Sequence, residues 1–428
     1  MNTFTPVFDS DTLSGKLAEA VSESRLWQRH MEMGAIGATP RGGVNRLALT
    51  QEDAMAQGKL AAWAKARGHL VSRDEIGNVY VRREGTDPTA APVVTGSHLD
   101  SQPTGGKYDG AYGVLAGLEV LEALDDAGIA TRRPVDVVAW MNEEGSRFLP
   151  GAMGSGVLAG AFTLESALAS KDGDGTTVAA ALAEVERITP LPRTMLSQVK
   201  PFAYLEAHIE QGPRLEAAGA TIGVVTGIQG IRRFVVEING EEAHAGTTPR
   251  VNRRDAMLVS VALISALQSA ATDPQDMIRF TVGRMNVFPN SPNTVPGRVQ
   301  FTIDLRHPDG ALLQAFGKQI HETAVQIAAK GGCTVAVQNV SDVKPVSFPQ
   351  EMIELVRTAT LAEGMMHLSF PSGAGHDAMY LNRLCPTGMV FVPCLRGVSH
   401  NEAESATPSD LAAGTRVLAR AILELALR

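Results

Sequence analysis

GSHLDSQPTGGKYDGAYGV, residues 96–114, is the stretch that decides how this chain is read. Val93 and Val94 lead into it as a short buried strand, which then opens into a glycine-rich loop carrying His98, Asp100 and Asp109. An imidazole and carboxylates just past the carboxyl end of a strand are nitrogen and oxygen donors that suit a divalent transition metal. Asp100 is placed to accept the ring N–H of His98 that faces away from a metal, fixing the tautomer. Gly105, Gly106 and Gly110 permit the backbone angles and close approaches that turn Asp109 back toward His98. The stretch reads as the first half of a metal site.

Working outward, Val114 to Ala127 predicts a helix with Leu115, Leu118, Leu121 and Leu124 inward, and Val135 to Met141 a second short apolar strand. Strand, helix and strand in this order form a βαβ unit, hence a parallel or mixed sheet covered on both faces. Asn142-Glu143-Glu144-Gly145 follows that second strand, so two adjacent acids sit at the same end of the sheet as His98. Adjacent acids point in different directions, which lets one ligate a metal while the other carries a proton. FAYLEAHIEQGP, residues 202–213, adds His208 and Gln211, close to one side of the chain if helical. Upstream, Thr12 to Met33 reads as one helix, ATPRGGVNR as a turn, Thr50 as the N-cap of a second helix, and Val79 to Val81 as a short strand.

A chain of 428 residues with 44% hydrophobic content can build two or three domain-sized units. The net charge of −8 and the lack of long Lys/Arg runs argue against nucleic acid or an anionic membrane as partner. Cys333, Cys385 and Cys394 are too scattered for a disulfide framework and are expected to be reduced. The start, MNTFTPVFDS, has no basic region followed by an apolar core, and no stretch is apolar enough to span a bilayer. A soluble, cytoplasmic protein is expected.

From about Ala220 the texture changes. Phe234, Val236 and Ile238 alternate as a strand, Arg253 to Ala270 reads as a helix, and Phe280 to Val287 and Val299 to Leu305 as strands. Ala311 to Ala329 then reads as a helix and Cys333 to Val340 as a strand. This β-α-β-β-α-β order predicts a split β-α-β domain, inserted as residues 217–342 between the two parts of an α/β domain, 1–216 and 343–428. The last part holds a helix from Met352 to Glu363, the SGAGHD loop with Gly375 and His376, a strand from Met389 to Val392, and GVSHNE with His400. A final helix runs from Ser409, its expected N-cap, to Leu427.

Taken together, GGVNRLA, GSHLDSQPTGGKYDG, NEEGSRF, AHIEQGP, GEEAHAGTTP, NTVPG, DLRHP, SGAGHDA and SHNEAE resemble, in order, the motifs of zinc-peptidase-like (M20) amidohydrolases of the hydantoinase/carbamoylase type. That group includes N-carbamoyl-L-amino acid hydrolase, β-ureidopropionase and allantoate amidohydrolase. The resemblance implies a catalytic domain with a mixed sheet covered by helices, plus an inserted lid and dimerisation domain. It implies two divalent metal ions, zinc, manganese, cobalt or nickel, on His98, Asp109, Glu144, His208 and His400, with Asp109 bridging and Glu143 as general acid/base. Gln211, His244, Asn293, Arg306, Gly375 and His376 would receive the substrate, His244 also steadying the oxyanion and Arg306 gripping a carboxylate. Met379 and Arg396 stand where members of the group differ. The expected reaction is hydrolysis of the ureido C–N bond of an N-carbamoyl-L-amino acid to amino acid, carbon dioxide and ammonia, by a homodimer. Allantoate and β-ureidopropionate are the alternative substrates, and an aminoacylase or peptidase and a noncatalytic scaffold are the competing readings.

Overall fold

The computed structural model describes residues 10–273 and 275–428; the first nine residues, on which the reading of the terminus rests, lie outside that range. Two compact units divide the chain: Met1–Thr226 with Phe348–Arg428, and Gly227–Ser347.

The first unit begins with α1 (Ser10–Ala20), α2 (Glu23–Gly34) and α3 (Gln51–Ala66). The single helix expected from Thr12 to Met33 is two, because Ser22 leaves the helical path. Its N–H donates to Glu119 Oε1 at 2.7 Å, and its hydroxyl accepts from Arg25 N to cap α2. Thr50 caps α3, accepting from Asp53 N. Strands β1 (Leu70–Arg73), β2 (Val79–Arg83) and β3 (Val93–His98) follow, then α4 (Ala111–Asp126), β4 (Val135–Trp140), β5 (Ala203–Ile209) and β6 (Ile222–Ile228).

The insertion holds β7 (Gly230–Asn239), β8 (Ala243–His244), α5 (Ala256–Ala270), β9 (Arg279–Thr281), β10 (Met285–Phe288), β11 (Thr294–Val295), β12 (Arg298–His307), α6 (Gly310–Lys330) and β13 (Thr334–Val343). The chain returns through β14 (Val346–Ser347), α7 (Gln350–Ala362), β15 (His367–Ser372), β16 (Thr387–Val392) and α8 (Pro408–Leu427). Thr407, not Ser409, caps α8, with proline filling the first helical position where its missing N–H costs nothing.

The first sheet runs β1-β2-β4-β3-β5-β16-β6-β14, with β15 also beside β6. β4, β3, β5 and β16 are mutually parallel and buried along their whole length, as strands covered on both faces must be. Their carboxyl ends therefore open on one edge, where α/β sheets hold their ligands. The first unit boundary falls later than residue 216 because β6 pairs with β16 and so belongs to this sheet, and the second falls at 347 rather than 342.

In the second unit, β10-β12-β7-β13 form an antiparallel sheet, with β9 also paired to β12. The strand expected from Phe280 to Val287 is split around Gly283, and both pieces pair with β12. One sheet face, including Phe234, Val236, Phe301 and Ile303, packs on Leu263, Leu267, Leu313, Phe316 and Ile320 of α5 and α6. No helix among the described residues is long and apolar enough to cross a membrane.

Candidate active site

His98 ends β3, and its Nδ1 faces the backbone carbonyl of Asp100 at 2.9 Å, which puts the ring proton there and the lone pair on Nε2. The Asp100 carboxylate, expected to take that proton, lies 3.7 Å from Nδ1. It accepts instead from the N–H groups of Glu143 and Glu144, each at 3.2 Å. A carboxylate with four lone-pair sites serves two convergent N–H donors better than one imidazole. Asn142 makes that convergence possible: its φ of 54° turns the chain after β4, and its Nδ2 donates to Phe148 O.

His208 sits on β5 rather than on a helix, because both faces of this run are buried and the backbone is needed for pairing to β16. Its Nδ1 faces Ile209 O at 2.9 Å, again directing Nε2 outward. Gln211, at φ 56°, is brought round to donate to Asp109 Oδ2 at 2.9 Å. Gly110, with φ 65°, starts α4 directly over the His98 ring, where any Cβ would overlap the imidazole.

Asp109 is the centre of the arrangement. Its Oδ1 lies 3.2 Å from His208 Nε2 and 3.7 Å from His98 Nε2, and its Oδ2 lies 3.3 Å from His400 Nε2. Glu144 Oε2 is 3.4 Å from the same His400 nitrogen. The donor atoms therefore fall into two groups sharing one carboxylate: His98, Asp109 and His208, all buried, and Asp109, Glu144 and His400, with His400 half exposed. Glu143 Oε2 reaches within 3.5 Å of His98 Nε2.

The electrostatics suit a cation. Burial, then the charges of Asp377 and Glu144, push the Glu143 carboxyl well above its usual range. Burial and Asp109 raise Glu144 to about 8. Burial pushes His98 down to about 4; at His208 burial is the largest single influence, but the hydrogen bond and charge of Asp109 and the charge of Glu206 together exceed it and lift the imidazole to about 9. Crowded carboxylates beside imidazoles, with His98 and His208 each oriented by a backbone carbonyl, are a donor set whose mutual repulsion and bound protons a divalent cation would displace.

His376 is buried, with its ring centroid 4.6 Å from that of His208 and its Nε2 2.8 Å from Ser372 Oγ, so it backs His208. Gly375 is exposed beside it. In the inserted unit, the exposed His244 accepts at Nδ1 from Gly246 N and Thr247 N, which leaves its proton on Nε2. Asn293 is adjacent through Ala245 N→Asn293 O, and Ser291 Oγ donates to its Oδ1. Arg306 lies on β12, with Nε donating to Asp304 Oδ1 at 2.8 Å.

Sequence reasoning gave no role to Gln102, Ser399 or Glu404. Gln102 Nε2 donates to Glu144 Oε2 at 2.7 Å, and Ser399 Oγ lies 2.9 Å from Asp109 Oδ2. The available signal was their position inside the GSHLDSQ and SHNEAE motifs.

The site thus gathers imidazoles and carboxylates at the carboxyl edge of a mixed sheet whose chain is interrupted by an α+β insertion. The model of Peptidase family M20/M25/M40 matches residues 94–424. An N-carbamoyl-L-amino-acid amidohydrolase of Rhizobium meliloti is 42% identical over 95% of this chain and 97% of its own. An allantoate amidohydrolase of Bacillus subtilis is 35% identical over 91% and 94%. The crystal structure of an amidase of the hydantoinase/carbamoylase family from Burkholderia multivorans superposes with a TM-score of 0.91 at 48% identity, covering 95% of this chain and 98% of that one. The chain belongs to peptidase family M20/M25/M40, among its amidohydrolases of hydantoinase/carbamoylase type.

Proposed function

We propose that the protein hydrolyses the ureido C–N bond of an N-carbamoyl-L-amino acid, with two divalent cations held by His98, Asp109, Glu144, His208 and His400. The observation that carries the reading is Asp109, whose two carboxylate oxygens face two separate donor groups. Bound there, the cations would supply Lewis acidity toward the carbonyl and lower the pKa of water. Glu143 takes a proton at its carboxylate from the attacking water, whose oxygen bonds to the ureido carbon. The same carboxyl then returns the proton to the amino acid nitrogen as the C–N bond breaks, and the carbamic acid left behind decomposes to carbon dioxide and ammonia. The tautomer of His244 suits an oxyanion donor at Nε2, and Arg306 with Asn293 suits a carboxylate.

The test is a chelator-stripped enzyme reloaded with zinc, manganese, cobalt or nickel and assayed on N-carbamoyl-L-amino acids, β-ureidopropionate, allantoate, N-acetyl amino acids and dipeptides. N-Carbamoyl-L-amino acids are expected to give the highest kcat/KM. Preference for allantoate, the substrate class named by a 35%-identical relative, or for amides would overturn the assignment.

A homodimer joined through the inserted unit is part of this reading. β13 is an edge strand of ten residues whose one charged residue is Asp342, and an edge that long and uncharged gains from pairing with a second copy. Sedimentation velocity should give a dimer; a monomer at working concentration refutes it. The three cysteines are free and buried, which fits the reducing conditions of the cytoplasm.

A further inference from the structure

Glu404 lies on the loop between β16 and α8 and is 6% exposed. Its Oε1 accepts from Tyr108 N at 2.9 Å and Asp109 N at 3.0 Å, and its Oε2 accepts from Ser399 Oγ at 3.0 Å. Ser399 Oγ in turn lies 2.9 Å from Asp109 Oδ2. One buried carboxylate thus holds the backbone that carries Asp109, and the single hydroxyl hydrogen of Ser399 is shared between that carboxylate and one oxygen of the Asp109 side chain. Gly106 admits it, since a Cβ there would overlap the Glu404 carboxyl group. The contact also gathers the N-terminal loop: Glu402 pairs with Arg41 at 2.5 Å, while Val44 and Gly105 exchange two backbone hydrogen bonds at 2.9 Å.

We propose that Glu404 is a positioning residue that sets the loop and rotamer of Asp109, so that Oδ1 faces His98 and His208 while Oδ2 faces His400 and Glu144. The inference rests on the proposed bridging of two cations by Asp109. Three donors converge on Glu404, and a side chain without an acceptor oxygen leaves two buried N–H groups unpaired. Glutamine keeps the connection: its Oε1 accepts both N–H groups and its Nε2 donates to Ser399 Oγ, which then gives its single hydrogen to Asp109 Oδ2.

The experiment titrates chelator-stripped wild type, E404A, E404Q, S399A and G106A with Mn2+ alone by calorimetry, and measures kcat and KM separately. E404A is expected to bind Mn2+ ~10–100-fold more weakly, as loss of an orienting partner of a metal ligand does. Once loaded, it should show a lower kcat with KM near wild type, and E404Q should bind within a few fold of wild type. G106A, which displaces the carboxylate without deleting it, should weaken Mn2+ binding as E404A does. S399A, which keeps the backbone N–H bonds, gives a smaller loss and carries the test if E404A does not fold. E404A or S399A binding Mn2+ as wild type does overturns the assignment. A wild type that takes up no Mn2+ overturns the metal reading beneath it, and this one with it.

Discussion

His30, on α2, offers a measurement of how strongly burial governs this fold. Its side chain is fully buried, its ring centroid lies 5.5 Å from that of Tyr108 and 6.1 Å from that of Tyr112, and neither ring nitrogen has a hydrogen-bond partner among the described residues. Burial pushes the imidazole down to about 3. In the unfolded chain it titrates near 6.5, so below that pH the unfolded state takes up a proton that the folded state refuses. The stability contributed by keeping His30 neutral is complete above about pH 6.5 and is lost as pH falls toward 3. Between pH 7.5 and pH 5.0 the loss is about 2 kcal/mol, from roughly one and a half pH units of unshared protonation at about 1.4 kcal/mol each. Urea unfolding at both pH values, with chelator present so that metal release adds nothing, measures it in wild type and in His30→Leu. Leucine changes the absolute stability, but every other titrating group is common to both proteins and cancels in the pH difference. The variant should lose about 2 kcal/mol less than wild type on acidification. Equal pH dependence in the two proteins would refute the reasoning.

Glu143→Gln should lower kcat by ~10²–10⁴-fold with metal content unchanged, measured by steady-state kinetics and elemental analysis; turnover near wild type would assign the proton transfer elsewhere. His400→Ala should retain one tightly held cation and lose the other, because the His98–Asp109–His208 group is buried whereas His400 is half exposed; equilibrium dialysis against graded chelator counts them. Arg306→Ala should raise KM ~10–100-fold with a smaller change in kcat, the loss of a charged hydrogen bond to a substrate carboxylate, and lysine should rescue it poorly because it lacks the planar fork. Unchanged KM would leave Arg306 a structural role on β12.

Much of the site is readable in the chain because its donors sit in short motifs directly after apolar strands. β3 and β4 announce themselves by continuous burial-prone residues, and His98, Glu143 and Glu144 follow them by sequence alone. The periodicity of β7, β12, α5 and α6 likewise marks the insertion, since each element has one face turned to a single core. Other elements misled. His208 read equally well as helical because its run is apolar on both sides, and only pairing with β16 settles it as a strand. The break between α1 and α2 depends on Glu119, a residue ninety-seven positions away.

By itself the sequence determined the kind of chemistry: which residues can give lone pairs, which can carry a proton, and which stretches are apolar enough to be strands. Only the tertiary structure decided which oxygen of Asp109 faces which imidazole, that Asp100 serves the backbone of Glu143 and Glu144 rather than His98, and that Glu404 holds the loop of Asp109. The reason is physical. Donor type belongs to a side chain and is local, whereas the direction of a lone pair is set by hydrogen bonds from parts of the chain that meet only after the sheet has assembled.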